Sequence, residues 1–300
     1  MKIKLPALFI ITFLLLANIS QAKKVTLKLK LHKGTTFEMN MISNNIIDQE
    51  MMGQKMRIDQ KMEMTFSYQV LNILPTKNFL IEYSLVKVKM DINMGGQEVH
   101  IDSDKPDPSN PMNTSLTSLI SSKLKFEMNP KGQIEKVEGL EEFSKKLGEN
   151  PQMAQTMSIF MDDKSFESFV GQVFNYFPEN KIKKGDKWSS SCKIPSLMNL
   201  ETIMNFEVAA IEKDKISLNV KSDVNMEGKV EPSGFKVDLK SKGTQMGTME
   251  IDPSDGWLQQ SDLTQKFDVN MKMKNPDTNE EMNIPVVINS VTKITCIKIK

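Results

Sequence analysis

Sulfur is abundant in this sequence: 23 methionines among 300 residues, beside two cysteines and two histidines. Thioethers are soft ligands that could hold copper(I), and they also adapt to irregular apolar surroundings. The stretch "KMRIDQKMEMTFSYQV", residues 55–70, decides between these uses. Its even positions from Met56 to Val70 read Met, Ile, Gln, Met, Met, Phe, Tyr, Val, and its odd positions are polar or charged. Methionine that shares a face with Ile, Phe and Val is apolar filling or an apolar binding wall, and a converging metal site is not expected.

The other reactive groups support little chemistry. His32 and His100 sit on the polar side of alternating segments. Two histidines without a thiolate cluster are too few soft ligands for a standard zinc site. No H-E-x-x-H, G-x-S-x-G, Walker or dinucleotide motif occurs. Asp102, Asp104 and Asp107 in "IDSDKPDPSNP" offer oxygen ligands of the kind calcium takes. The spacing lacks the glycine and terminal glutamate of an EF-hand loop, and Asp with Pro is ordinary turn vocabulary. We therefore assign no catalytic, cofactor-binding or metal residue and expect a protein that is not an enzyme. Cys192 and Cys296 are expected to pair, closing a loop that would stabilise an exported chain by about 4–5 kcal/mol in the chain-entropy model.

Strict alternation over some sixteen residues means a strand with one wet and one dry face. At about 3.3 Å per residue it would run roughly 50 Å, so it must coil or bend. The pattern recurs at Val25 to Leu31, Phe37 to Met41, Phe79 to Leu85, Val86 to Met94, Met204 to Ala210, Ile216 to Val220, Phe235 to Leu239 and Phe267 to Met273. Apolar parity switches between Leu85 and Val86, which predicts a bulge near Ser84 to Val86. One solvated face per strand indicates antiparallel meanders.

The middle of the chain changes period. Phe166, Phe169, Val170, Val173, Phe174 and Phe177 recur at helical spacing before Pro178, which predicts an amphipathic helix. Leu140, Phe143 and Leu147 predict a shorter one, "PQMAQTMSIFM" from Pro151 another, and residues 111–122 a fourth. The flanks echo each other: "HKGTTFEMNM" resembles "KKGDKWSSSC", and "FEMNPKGQIEKVEG" resembles "MEIDPSDGWLQQSD". The expected fold class is α+β. Long curved antiparallel sheets, half-barrel or barrel-like and in two duplicated β halves, would pack on a central cluster of helices. The divisions would be a signal peptide over 1–22, an N-terminal β half over 23–136, a helical insert over 137–180 and a C-terminal β half over 181–300.

The first residues, "MKIKLPALFIITFLLLANISQAKK", read as a secretory signal peptide cut after Ala22. Beyond it no apolar run is long enough to predict a transmembrane span in the mature chain. Lys+Arg 39 against Asp+Glu 38 leaves a formal charge of +1, so no nucleic-acid partner is expected. The location expected is outside the inner membrane, periplasmic or extracellular.

The segments "LKLKLHKGTTFEMNM", "MMGQKMRIDQKMEMTFSYQV", "MGGQEVHIDSDKP", "KLKFEMNPKGQIEKVEGL" and "IKKGDKWSSS", in that order, resemble an uncharacterised family of secreted bacterial β-rich proteins, a domain of unknown function. The resemblance implies location and fold and transfers no catalytic residue. A looser likeness, of architecture alone, is to lipoprotein-carrier half-barrels, and analogy of that kind is weak warrant for function.

Two readings stay open. In one, a binding protein holds an apolar small molecule or lipid in a concave face lined by Met62, Met64, Phe66, Met90, Met94, Phe169, Phe174, Met271 and Met273. In the other, the interior is filled and the protein meets an envelope protein through a loop such as the one from Asp102 to Pro111.

Overall fold

The structure, a computed structural model, describes residues 24–51, 53–107, 109–110, 113–114, 117, 119–120, 122–148, 163–194, 198–230, 236–274 and 281–299. The expected signal peptide with its cut after Ala22 lies outside the described residues, as does the helix expected over 151–161 and part of the one over 111–122. Twelve strands follow the alternating segments: β1 Thr36–Met51, β2 Gln54–Ile73, β3 Phe79–Met94, β4 Gln97–Asp102, β5 Lys123–Met128 and β6 Ile134–Glu138, then β7 Lys187–Ile194, β8 Met198–Ile211, β9 Ile216–Val230, β10 Lys236–Ile251, β11 Leu258–Lys274 and β12 Glu281–Lys298. Two short helices, α1 Leu140–Gly148 and α2 Asp163–Gly171, with a 3-10 turn Gln172–Phe174, lie between β6 and β7.

All strands join one antiparallel sheet in the order β6-β5-β3-β2-β1-β12-β11-β10-β9-β8-β7, with β4 added to β3. Two five-strand meanders are thus stitched together by β12. The echoed segments have matching geometry. Gly34 and Gly185 both have φ of 85°, and their amides donate to Val70 and Val208 respectively. The β5–β6 and β10–β11 turns carry Gly132 and Gly256 at φ of 76° and 78°.

The fold class differs from the α+β expectation. Among the described residues the protein is nearly all strand, a single sheet with no central helix cluster. The helices pack on strands and sit at a seam, α2 touching both β6 and β7, the two ends of the sheet order. Edge strands expose unpaired amides and carbonyls, and a helix laid over them is one way to cover that edge. The expected single helix through Phe177 also stops sooner: after Gly171 it tightens into the 3-10 turn and ends at Phe174. That ending turns Phe174 into the core and lets the Tyr176 hydroxyl donate to the Gly256 carbonyl at 2.8 Å.

Backbone bonds of the N-terminal segment show that the sheet is rolled. Val25 exchanges both 2.8 Å bonds with Ile182, just before β7, while the Leu29 amide donates to Pro130 in the β5–β6 turn at 2.9 Å. Four residues reach at most about 14 Å, whereas nine strand spacings laid flat would separate β5 from β7 by about 43 Å. The two ends of the sheet therefore meet at this end of the strands. Lys30 adds a bond to Asp255 in the β10–β11 turn at 2.8 Å. The alternation of Val25 to Leu31 thus marks a strap across the closed end, burying Leu27, Leu29 and Leu31, instead of the ladder strand its pattern predicts.

Candidate functional site

Register assigns each strand's inward face. Across β3, β2, β1, β12, β11, β10 and β9, one row runs Tyr83, Tyr68, Phe37 at the closed end, and Met90, Met62, Ser43, Thr292, Leu263, Gly247, Val220 further along. The parity switch does produce a bulge. Thr65 pairs Lys87 and Phe66 pairs Leu85, so Val86 is left over and both apolar runs of β3 face inward.

The inward face falls into two regions. At the closed end, Phe37 stacks on Trp257 with centroids 4.1 Å apart, and Tyr68 and Phe174 meet the same indole at 5.5 and 5.0 Å. Burial pushes the phenols of Tyr68, Tyr83 and Tyr176 up, as expected for hydroxyls cut off from water. By register the contiguous core is uneven: on β1 and β2 it ends at Met39 and Phe66, whereas on β8 and β9 it reaches Phe206 and Val220, two rows further toward the tips. Beyond it lies a second stretch of inward apolar side chains. Met56, Ile58, Met62, Met64, Met90 and Ile92 are half-buried, as are Phe267, Val269, Met271 and Met273. Val237, Ile284 and Val286 in the same stretch are buried.

The residues expected to line an apolar pocket therefore divide. Met62, Met64, Phe66, Met90, Met94, Met271 and Met273 share the inward face, with Met94 38% exposed at the tip of β3. Phe174 belongs to the closed core, fully buried. The side chain of Phe169, like that of Phe166, lies outside the described residues.

Charge is sorted with the same rigour. From the row of Met39 to the tips, the described inward positions of β1, β2, β3 and β8 to β12 carry no charged residue. On β11, outward Asp262, Lys266, Asp268 and Lys272 alternate with inward Leu263, Phe267, Val269 and Met271. A groove of ≈ 940 Å³ lies over β7 to β11 and is lined chiefly by side chains of this outer surface. Cross-strand pairs Lys193–Glu201 at 3.0 Å and Lys240–Glu227 at 2.7 Å line it, so its charges neutralise one another in solvent. Met246 and Val291 are exposed on that face.

Halfway along the strands the apolar face is interrupted, a feature missed from sequence. One register row reads Gln60, Asn45, Ser290, Gln265, Gln245, Ser222 across six adjacent strands. Asn45 Nδ2 donates to Gln60 Oε1 at 3.0 Å, and Gln265 Nε2 to Gln245 Oε1 at 2.8 Å. The signal was a polar residue breaking each dry face, visible at Gln60 inside the opening stretch, but its alignment across strands needs the register.

The groups set aside from sequence are placed as follows. His100 lies on the outer face of β4, with Nδ1 2.8 Å from Asp91 and Nε2 3.4 Å from Glu98. The hydrogen bond to Asp91, then that to Glu98, raises its pKa, which favours an imidazolium over a general base. Asp102 and Asp104 face Lys89 and Lys87 at 3.1 and 2.7 Å, and Asp107 accepts from the Ser109 hydroxyl at 2.6 Å. The expected disulfide is corrected: Cys192 and Cys296 are free thiols on β7 and β12, five strands apart in the sheet order. Cys192 Sγ lies 3.5 Å from the Ser168 carbonyl of α2, whereas Cys296 packs against the closed core.

Residues 76–258, more than half of the sequence, match the family described as Family of unknown function (DUF6263). The chain belongs to that family. No curated protein matches it. Among solved structures it is similar to lipovitellin, described in a study of lipid–protein interactions, at 10% identity and a TM-score of 0.49 over 89% of this chain and 25% of that one. The chain thus spans about a quarter of the lipovitellin chain. It is also similar to Pseudomonas aeruginosa OpdQ, at 8% identity and a TM-score of 0.20 over 88% and 99% of the two chains. An outer membrane channel from Pseudomonas putida F1 gives 8%, 0.24, 90% and 97%. At these scores the likenesses carry no argument about function. No helix among the described residues is long and apolar enough to cross a membrane.

Proposed function

We propose that the protein is an exported, non-enzymatic binding protein that holds an apolar small molecule or lipid against the inward face of its rolled sheet, beyond the closed core. The carrying observation is the sorting of the two faces past the row of Phe66 and Met39. Inward side chains there are uncharged, and the methionines among them, Met62, Met64, Met90, Met271 and Met273, are half-buried. Flexible thioethers suit a wall that adapts to its occupant. A membrane-spanning barrel sorts its faces the opposite way, apolar outward and polar inward. The lysines and acids on the outer face of β11 therefore support a protein that works in water. Asp102, which ends β4, and Asp104 just after it are engaged by lysines, which weakens the alternative of the segment from Asp102 to Pro111 as a docking surface.

The test is direct. The mature chain, purified without detergent, is extracted with organic solvent for mass spectrometry, then titrated with an environment-sensitive apolar dye. One bound apolar molecule per chain is expected, with binding lost in a Met62→Lys, Met271→Lys variant that still melts cooperatively. Failure of every apolar probe to bind the emptied protein would overturn the reading.

A further inference from the structure

Within that reading, we infer that the mid-strand polar row recognises an uncharged, hydrogen-bonding head, so that the ligand is a neutral amphiphile whose chain lies along the methionine stretch. The row gives way to apolar residues toward the tips, and toward the closed end to apolar residues on β2, β11 and β9, with Ser43 and Thr292 on β1 and β12. Toward the closed end the next inward residues include Met62, Leu263 and Val220, and toward the tips Ile58, Phe267 and Val224. A core built only for stability would have no reason to align six polar residues at one depth, because each must be desolvated and satisfied.

The row is only partly satisfied from within. Asn45 and Gln60 bond each other, and Gln245 bonds Gln265. Ser43 Oγ, one row lower, bonds Asn45 and lies 3.2 Å from Ser290 Oγ. Ser222 ends the row differently. It is completely buried, and its hydroxyl has no hydrogen-bond partner. An orphaned hydroxyl at the end of a row of amides is a group awaiting a partner. The orphan sits beside Gln245 in register, so a head that reached both would find a hydroxyl and an amide side by side.

The row also limits what that head can be. It contains amides and hydroxyls only, and the described inward positions from the row of Met39 to the tips hold no lysine, arginine or histidine to meet an anion, and no carboxylate to meet a cation. A carboxylate or phosphate placed there would lose its water without gaining a countercharge. Hydroxyl, ester or amide heads lose less and gain more. From Gln265 to Met273 the strand runs about 27 Å, which accommodates a long chain extended toward the tips.

Competition against an apolar dye on the full mature chain tests this with three probes of similar tail: 1-oleoylglycerol, oleate and octadecane. We expect 1-oleoylglycerol to bind at least about tenfold more tightly than the other two. In a Ser222→Ala, Gln245→Leu, Gln265→Leu variant, the preference over octadecane should fall to about twofold while octadecane itself still binds. The unliganded melting temperature should not drop, because a bonded pair and an orphan are replaced by apolar groups. Ser222→Ala alone, for use should the triple variant fail to fold, should raise that temperature and still weaken 1-oleoylglycerol. Equal binding of octadecane, or a preference that survives the substitutions, would mean that the row merely fixes strand register, leaving the apolar reading intact. Tightest binding of oleate would refute the neutral head, and failure of all three probes would defeat the underlying reading instead.

Discussion

The same strands build two different interiors. At the closed end the inward positions are filled by rings, Phe37, Tyr68, Phe174 and Trp257, in stacked and edge contacts. Aromatic side chains are rigid and need particular geometries, and they give a single packed arrangement. Further along β2, β3 and β11 the inward residues include Met56, Met62, Met64, Met90, Met271 and Met273, unbranched and half-buried. Alternation is identical in both regions. What differs is the flexibility of these side chains and how completely they are buried.

The comparison is broken most severely from the rigid side. Trp257 is 2% exposed and touches three other rings, so Trp257→Ala should cost about 3–5 kcal/mol in urea unfolding. A loss under about 1 kcal/mol would mean that the closed end is not the stabilising core. Two glycines sharpen the point. Gly256 and Gly53 have nearly equal φ, 78° and 76°, so alanine is strained alike at both. An added Cβ at Gly53 meets nothing within 4 Å, whereas at Gly256 it would lie 2.2 Å from the Lys28 carbonyl of the strap. Gly53→Ala should cost about 1–2 kcal/mol and Gly256→Ala about 3 kcal/mol or more. The difference isolates the contribution of the strap.

Methionine itself gives a milder contrast. Met39, 2% exposed, lies in the closed core, while Met271 is half-buried in the other stretch. Met39→Ala should cost about 2–5 kcal/mol and Met271→Ala about 1 kcal/mol, but only the second should weaken binding of an apolar dye. Equal stability losses would show one continuous core.

Much of this layout is legible before any coordinates, because period-2 alternation reports strands and parity switches report bulges, as at Val86. It cannot report what lies across from a strand. Val25 to Leu31 alternates as faithfully as β2 yet forms one bridge, since the pattern records a wet and a dry side and not a ladder. Helical spacing continues to Phe177, but tertiary contacts of Phe174 and Tyr176 end the helix first. The methionines of the candidate wall could be chosen from sequence since they share a parity. The polar row could not, because Gln60, Asn45 and Ser290 become neighbours only through pairings between residues far apart in sequence, as of β1 with β12.

The smallest expected effect uses the two thiols as reporters of the two regions. Cys296 pairs with Met39 in the closed layer, and Cys192 faces Thr202 in the row of Ile47 and Phe267, in the methionine stretch. Burial pushes Cys296 up to about 12 and raises Cys192 as well. At pH 8 a thiol of pKa about 12 is ionised in only about one molecule in 10⁴, and the thiolate is the species that alkylates. Labelling of native protein should therefore modify Cys192 first, with Cys296 following at a rate set by opening of the closed end, and denatured unreduced protein should show both thiols free. An apolar ligand bound in the methionine stretch should slow Cys192 and leave Cys296 unchanged. If the two label at the same rate, or if ligand protects them equally, the two interiors open together and the distinction between a finished core and an unfinished wall is lost.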